Sequence, residues 1–232
     1  MPPEGLFERA SDDTRTEIME ATYDALTEYG YADLTIQRIA DEFGKSKSLL
    51  YHHYDGKDDL LTGFLEFALD HFEEGMSLTD CGQADERLRA LFDVLVDADS
   101  DVDEEFVGVL VELRAQAVSD DAYRNQFRQN NEFLRDHIET IIADGIDAGT
   151  FRDVDPEQAA SFLLTIINGR MTERTTTENP AAARCVRAEL DEYLDTRVLA
   201  DGSESASGSE SASGHVTSNI DAPCGSTGEA GK

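Results

Sequence analysis

Three of the four lysines in this chain, Lys45, Lys47 and Lys57, bracket one short stretch, GKSKSLLYHHYDGK at residues 44–57. It supplies ammonium groups, the hydroxyls of Ser46 and Ser48, the phenol of Tyr51 and the imidazoles of His52 and His53. Such groups hydrogen-bond phosphate oxygens and the edges of bases. The remaining surface works against that chemistry, because 19 Lys and Arg stand against 50 Asp and Glu, a formal charge of -31. Residues 35–57 hold four basic residues, Arg38, Lys45, Lys47 and Lys57, and three acidic ones, Asp41, Glu42 and Asp55, leaving one net positive charge. A chain this acidic repels nucleic acid almost everywhere, and this window is relieved of the repulsion.

Helical period fixes how these groups are presented. A first helix, capped by Asp12 or Asp13, runs to about Tyr29, with Ile18, Ala21, Ala25 and Tyr29 on one face and Gly30 as its stop. Thr35 opens a second helix whose Ile36, Ile39, Ala40 and Phe43 point inward, and Gly44 ends it in a left-handed conformation. Ser46 caps a short third helix, about Lys47–His53, whose Leu50 shares a face with Tyr54. Helix, tight turn and short helix are the geometry that sets a recognition helix in a major groove. Thr35 and Ser46 then place hydroxyls at helix starts, where N–H groups can hold a phosphate. Lys47 and Lys57 sit near helix starts, where a cation opposes the helix dipole, so an anionic partner accounts for them. Tyr51 and His52 suit the DNA backbone, and Ser48, Leu49 and His53 suit base edges or a thymine methyl. The rival is an ordinary polar helix face.

Beyond Asp55-Gly56 a long helix runs to about Ser77, followed by helices near 83–98, 103–118, 120–148, 155–176 and 181–199. Gly149, Asp155 and Pro156 mark one break, and Asn179-Pro180 another. No alternating stretch reads as a strand, so the fold class is all-α. Residues 201–232 contain eight Ser and six Gly, repeat SESASG in tandem and lack Leu, Phe, Tyr and Met. That composition predicts a disordered, acidic, solubilising tail.

Several functions are excluded by absence. There is no glycine-rich phosphate loop, nucleophile elbow or metal-spaced histidine pair, so an enzyme is not expected, nor a cofactor or metal. Cys81, Cys185 and Cys224 fit neither a disulfide framework nor a zinc site. No apolar run is long enough to span a membrane and no signal peptide is visible, so a cytoplasmic protein is expected. Dispersed acidity with scarce lysine fits a cytoplasm of molar salt, that of a halophile.

Residues 14–62 resemble the DNA-binding domain of the TetR family of transcriptional regulators. The resemblance rests on Tyr29-Gly30-Tyr31, Thr35, Ile39-Ala40, Gly44, Ser46, Leu50-Tyr51, Tyr54 and Lys57, in order and at the family's spacing. Lys45 departs from the pattern, standing where a small apolar residue is usual, and its stem can cover the core while its charge reaches solvent or phosphate. Leu49 departs too, replacing a threonine or similar small residue. The resemblance, of a halophilic archaeal type, implies a three-helix helix-turn-helix domain at 1–57 and a helical ligand-binding and dimerisation domain at 58–200, with the compositionally distinct tail at 201–232 after them. It implies a repressor that binds a palindromic double-stranded DNA operator as a homodimer and answers to a small-molecule effector. Glu112, Arg114, Asn131 and His137 are polar candidates near the effector cavity. Phe64, Phe67, Phe92, Phe106, Leu110, Phe127, Phe133 and Phe162 read mostly as ordinary core. The last two helices are implied as the dimer interface. There ASFLLTIINGRM at 160–171 is apolar, and Phe162, Ile166, Gly169 and Leu190 are the contact candidates. A helical interaction or ligand-sensing module with weak or lost DNA binding is the alternative.

Overall fold

The computed structural model describes residues 14–79, 82–97, 103–177 and 179–200. Asp12, Asp13, Cys81, Cys224 and the segment 201–232 lie outside the described residues. The described residues form α1 (Thr14–Asp33), α2 (Ile36–Phe43), α3 (Lys47–His53), α4 (Lys57–Thr79), α5 (Ala84–Leu95), α6 (Glu104–Gln116), α7 (Asp121–Asp147), α8 (Pro156–Thr176) and α9 (Pro180–Tyr193). The fold is all-α, with an N-terminal helix-turn-helix bundle and a larger C-terminal helical domain.

The N-terminal core follows from the apolar faces of its helices. Ile18, Ala21 and Ala25 of α1 are buried, with Tyr29 packed against them. Gly30 interrupts the helical backbone with φ 65° and ψ 164°, a conformation open to glycine and strained for other residues. Ile36, Ile39, Ala40 and Phe43 of α2 and Leu50 of α3 complete the cluster. Leu60, Leu61, Phe64 and Leu65 of α4 join it, and so do Val109 and Leu113 of α6 and Tyr123 and Phe127 of α7. The three-helix unit is therefore seated on the larger domain through one continuous core.

A second core lies among α5, the C-terminal half of α7, α8 and α9. The helices of the larger domain start where side-chain acceptors meet otherwise unpaired backbone N–H groups. Asp103, Asp120, Asp155 and Asn179 accept from Glu105, Ala122, Gln158 and Ala182 respectively. Pro156 and Pro180 each occupy a first-turn position that needs no donor.

Two expectations change here. The last helix does not continue to residue 199: α9 ends at Tyr193 and gives way to a π-helical turn, Leu194–Val198. The chain is drawn off by the loop after α7. There Arg152 N–H donates to the Val198 carbonyl at 2.7 Å, Ala200 N–H to the Thr150 carbonyl at 2.9 Å, and Phe151 pairs with Leu199 in an isolated antiparallel bridge. Second, Leu190, expected at the surface of the last helix, is only 2% exposed and packs into the second core.

Candidate nucleic-acid interface

Gly44, at φ 65° and ψ 4°, turns the chain between α2 and α3. A Cβ there would meet no neighbour, so it is the left-handed backbone that requires glycine. The turn sets α3 on the surface with Leu50 as its one buried residue. Ser48, Tyr51, His52 and His53 are exposed on the outer side, Tyr51 by 52%. The His52 and His53 rings stand edge to face at 5.4 Å, and the Lys47 ammonium lies 5.6 Å from the Tyr51 ring. This is a patch of donors and aromatic edges with a cation beside it.

The remaining predicted contacts divide. The Thr35 oxygen accepts from Arg38 N–H at 3.2 Å, capping α2. Ser46 occupies the N-cap position of α3 without a side-chain capping bond, contrary to its expected role. Leu49 is half-buried against the N-terminal core, which limits how far it reaches toward a base. Arg38 donates to the Asp33 carbonyl and lies 4.3 Å from the Tyr29 ring centroid. Lys45 pairs with Glu17 of α1 and sits 5.3 Å from the Phe43 ring, so its charge is answered by a carboxylate within the chain.

Lys57, expected to meet an external anion, has a partner within the chain as well. The ammonium donates to the Tyr31 carbonyl at 3.1 Å and lies 4.0 Å above the Tyr31 ring. Around this contact is a joint that the sequence did not disclose. Tyr31 N–H donates to Glu112 Oε2 at 2.8 Å, and the phenols of Tyr31 and Tyr123 both donate to Asp58 Oδ1, at 3.2 and 3.0 Å. Four elements, α1, α4, α6 and α7, meet there. Their residues run from Tyr31 to Tyr123, and only the folded chain brings them together. Burial, then the adjacent Asp58 carboxylate, raises the Tyr123 phenol far above its ordinary value, so it stays a donor. Glu112, a candidate for the effector cavity, is committed to this joint instead.

On the larger domain, Phe162 is 46% exposed and its ring lies 4.9 Å from that of Tyr193. Gly169, one face along α8, is exposed, with no atom near a would-be Cβ, and Ile166 is half-buried against the second core. Phe162 is thus surface rather than core. Arg114 and Asn131 approach each other inside the domain, while His137 stacks on Phe133 with centroids 6.3 Å apart. No group of His, Cys, Asp and Glu able to hold a metal occurs among the described residues, where Cys185 is an exposed free thiol. None of the described helices is long and apolar enough to cross a membrane.

Comparison with known proteins decides the family. Residues 18–63 match the model of bacterial regulatory proteins of the tetR family, and residues 84–199 match that of the BetI-type transcriptional repressor C-terminal region. A TetR transcription regulator from Haloarcula marismortui is 40% identical, over 80% of this chain and 98% of that one, with a TM-score of 0.72. The chain belongs to the TetR family of transcriptional regulators. Its relatives include the HTH-type transcriptional repressor AcnR of Corynebacterium jeikeium, 28% identical over 71% of this chain and 84% of that protein. A transcriptional regulator from Saccharomonospora viridis in complex with choline shares the fold, with a TM-score of 0.69 at 21% identity over 80% and 97% of the two chains. TetR-family proteins are DNA-binding regulators and not enzymes. They generally act as ligand-responsive repressors that bind DNA as dimers.

Proposed function

We propose that this chain is a cytoplasmic, effector-responsive repressor that binds a palindromic operator as a homodimer, in a halophilic archaeon. The observation that carries the DNA-binding part is the outer side of α3. Ser48, Tyr51, His52 and His53 are exposed together, beside Lys47, in a window that carries one net positive charge within a chain of charge -31. The 40% identity to the Haloarcula marismortui regulator and the scarcity of lysine support the halophilic setting. Seven residues of recognition helix read few base pairs, and two copies on half-sites about one helical turn apart, or a multiple of it, supply the missing specificity. Thr35 and Lys47 are assigned to phosphates. Ser46, with its side chain unused in capping, joins them, as do Tyr51 and His52. Ser48 and His53 are assigned to base edges.

The engagement of Arg38, Lys45 and Lys57 inside the protein favours a second reading, a ligand-sensing helical module with weak DNA binding. Selection of bound sequences from a randomised duplex library in molar KCl separates the two. The repressor reading expects an enriched palindrome, and His53→Ala should shift its preferred bases while Lys47→Ala weakens binding to all of them. No enrichment by the native protein overturns it in favour of the sensing module.

A further inference from the structure

Inside the larger domain three apolar stripes are interrupted at one level. On α7, Asn131 lies on the helix face of Phe127, Leu134 and Ile138; on α8, Asn168 lies between Leu164 and Met171; on α6, Arg114 follows Leu110 by one turn. The three polar side chains converge. Asn168 Nδ2 donates to Asn131 Oδ1 at 3.3 Å, and Arg114 Nη2 approaches the same oxygen at 3.5 Å. The Arg114 guanidinium lies 4.7 Å from the Phe127 ring centroid. One neutral oxygen therefore serves two donors, and it is distant for the stronger of them.

No carboxylate pairs with Arg114 among the described residues. Two other half-buried arginines of the larger domain do have carboxylate partners. Arg187 has Asp93, Asp97 and Asp191 within 3.1 Å, and Arg89 has Asp191 and Asp195 at 2.7 Å. Burial alone lowers the pKa of Arg114, with no nearby acid to offset it. An arginine so desolvated, with most of its five donors unused by the fold, is matched in geometry to a planar anion held by two parallel hydrogen bonds. The packing of α6, α7 and α8 around it is apolar, through Leu110, Phe127, Leu134 and Met171.

We propose that Arg114, Asn131 and Asn168 form a binding site for the carboxylate of an organic acid with an apolar body, and that this acid is the effector. The inference rests on the effector-responsive reading above and names its ligand class. Arg114 takes the carboxylate bidentately, Asn168 adds a third donor, and the flanking apolar side chains hold the body of the acid. The same arginine disfavours a quaternary ammonium such as choline, the molecule bound by the Saccharomonospora viridis regulator.

The test uses the full chain in molar KCl, with calorimetric titration and thermal midpoints as readouts. The probes are the straight-chain acids from butyrate to decanoate, benzoate and phenylacetate, each beside its amide, with choline as the cationic probe. At least one acid should bind and raise the midpoint, while its amide and choline do not. Arg114→Met should weaken that acid about tenfold or more, and Arg114→Lys should recover part of the loss. Should Arg114→Met fail to fold, Asn168→Leu carries the same question, with an expected loss of several-fold. The site is overturned if no acid binds, if acid and amide bind alike, or if the folded variants bind as the native protein does. Operator selection is run in parallel. A protein that selects an operator but ignores every acid loses this site and keeps the repressor reading. One that binds an acid through Arg114 but selects no operator keeps the site and loses that reading.

Discussion

Two lysines with the same apparent placement have different physical jobs. The Lys47 ammonium lies 5.6 Å from the exposed Tyr51 ring, whereas Lys57 ties the end of α1 to the start of α4 through Tyr31. Lys47→Ala should therefore weaken operator binding across all sequences and leave the thermal midpoint unchanged. Lys57→Ala should lower the midpoint as well, by roughly 2–4 °C for the loss of about 1 kcal/mol in a chain of this size. Equal midpoints for the two variants would show that the Tyr31 contact is inert. The phenols of the same joint impose a pH limit. Tyr123 and Tyr31 are held protonated, first by burial and then by Asp58, and burial pushes Tyr23 up to about 12. Their folded pKa values exceed the unfolded value of ~10. Their contribution is complete below that pH and is lost as the pH climbs through the folded values, because the unfolded chain then gives up protons more readily. Tyr123→Phe should lower the midpoint near neutrality yet flatten its decline above about pH 10. An unchanged alkaline slope would assign the decline to other groups.

At the scale of elements, the helices were legible because each start and stop is a local event. Thr35, Asp155-Pro156 and Asn179-Pro180 begin helices where expected, and Gly44 ends α2 by adopting positive φ, whereas Gly30, expected as a stop, only kinks α1, which runs on to Asp33. The faces of α1 and α2 were legible for the same reason, since period and polarity sufficed. What escaped was set by tertiary pairing. The end of α9 depends on a loop some 45 residues upstream, and Leu190 has the same apolar character whether it faces a core or a partner. Two substitutions test these placements. A Cβ on Gly145 would lie 2.2 Å from Phe151, the residue that anchors the bridge to Leu199. Gly145→Ala should cost on the order of 1–3 kcal/mol by overpacking, despite the better helix propensity of alanine. A neutral or stabilising result in thermal unfolding would mean that Phe151 moves aside freely. Phe162→Asp should convert a dimer to a folded monomer in light scattering at high salt, whereas Leu190→Ala should destabilise the fold without changing its assembly. If Phe162→Asp remains a dimer, the exposed side of α8 is not the contact.

For the whole molecule the dominant fact is the excess of carboxylates, and it pulls stability in two directions with salt. Ion pairs such as Arg187 with Asp93 and Asp191, or Arg89 with Asp195, weaken as salt is added. Each exposed pair is worth about 0–1 kcal/mol, and most of the 50 acids lie outside the pairs seen among the described residues. Repulsion among the remaining carboxylates is the opposing term, and it is relieved as the screening length falls from about 10 Å at 0.1 M to about 3 Å at 1 M. With a net charge of -31, the repulsion outweighs the pairs. The thermal midpoint should therefore rise steeply between about 0.1 and 1 M KCl, the range over which the screening length collapses. Above that range the rise should slow, since little repulsion is left to screen. Potassium chloride and tetramethylammonium chloride should act alike at equal ionic strength, because screening depends on charge and concentration rather than on ion identity. A midpoint that is flat or falls with KCl would mean that the arginine-centred pairs, not carboxylate repulsion, govern this surface. A rise confined to potassium would instead require bound cations held at defined carboxylates.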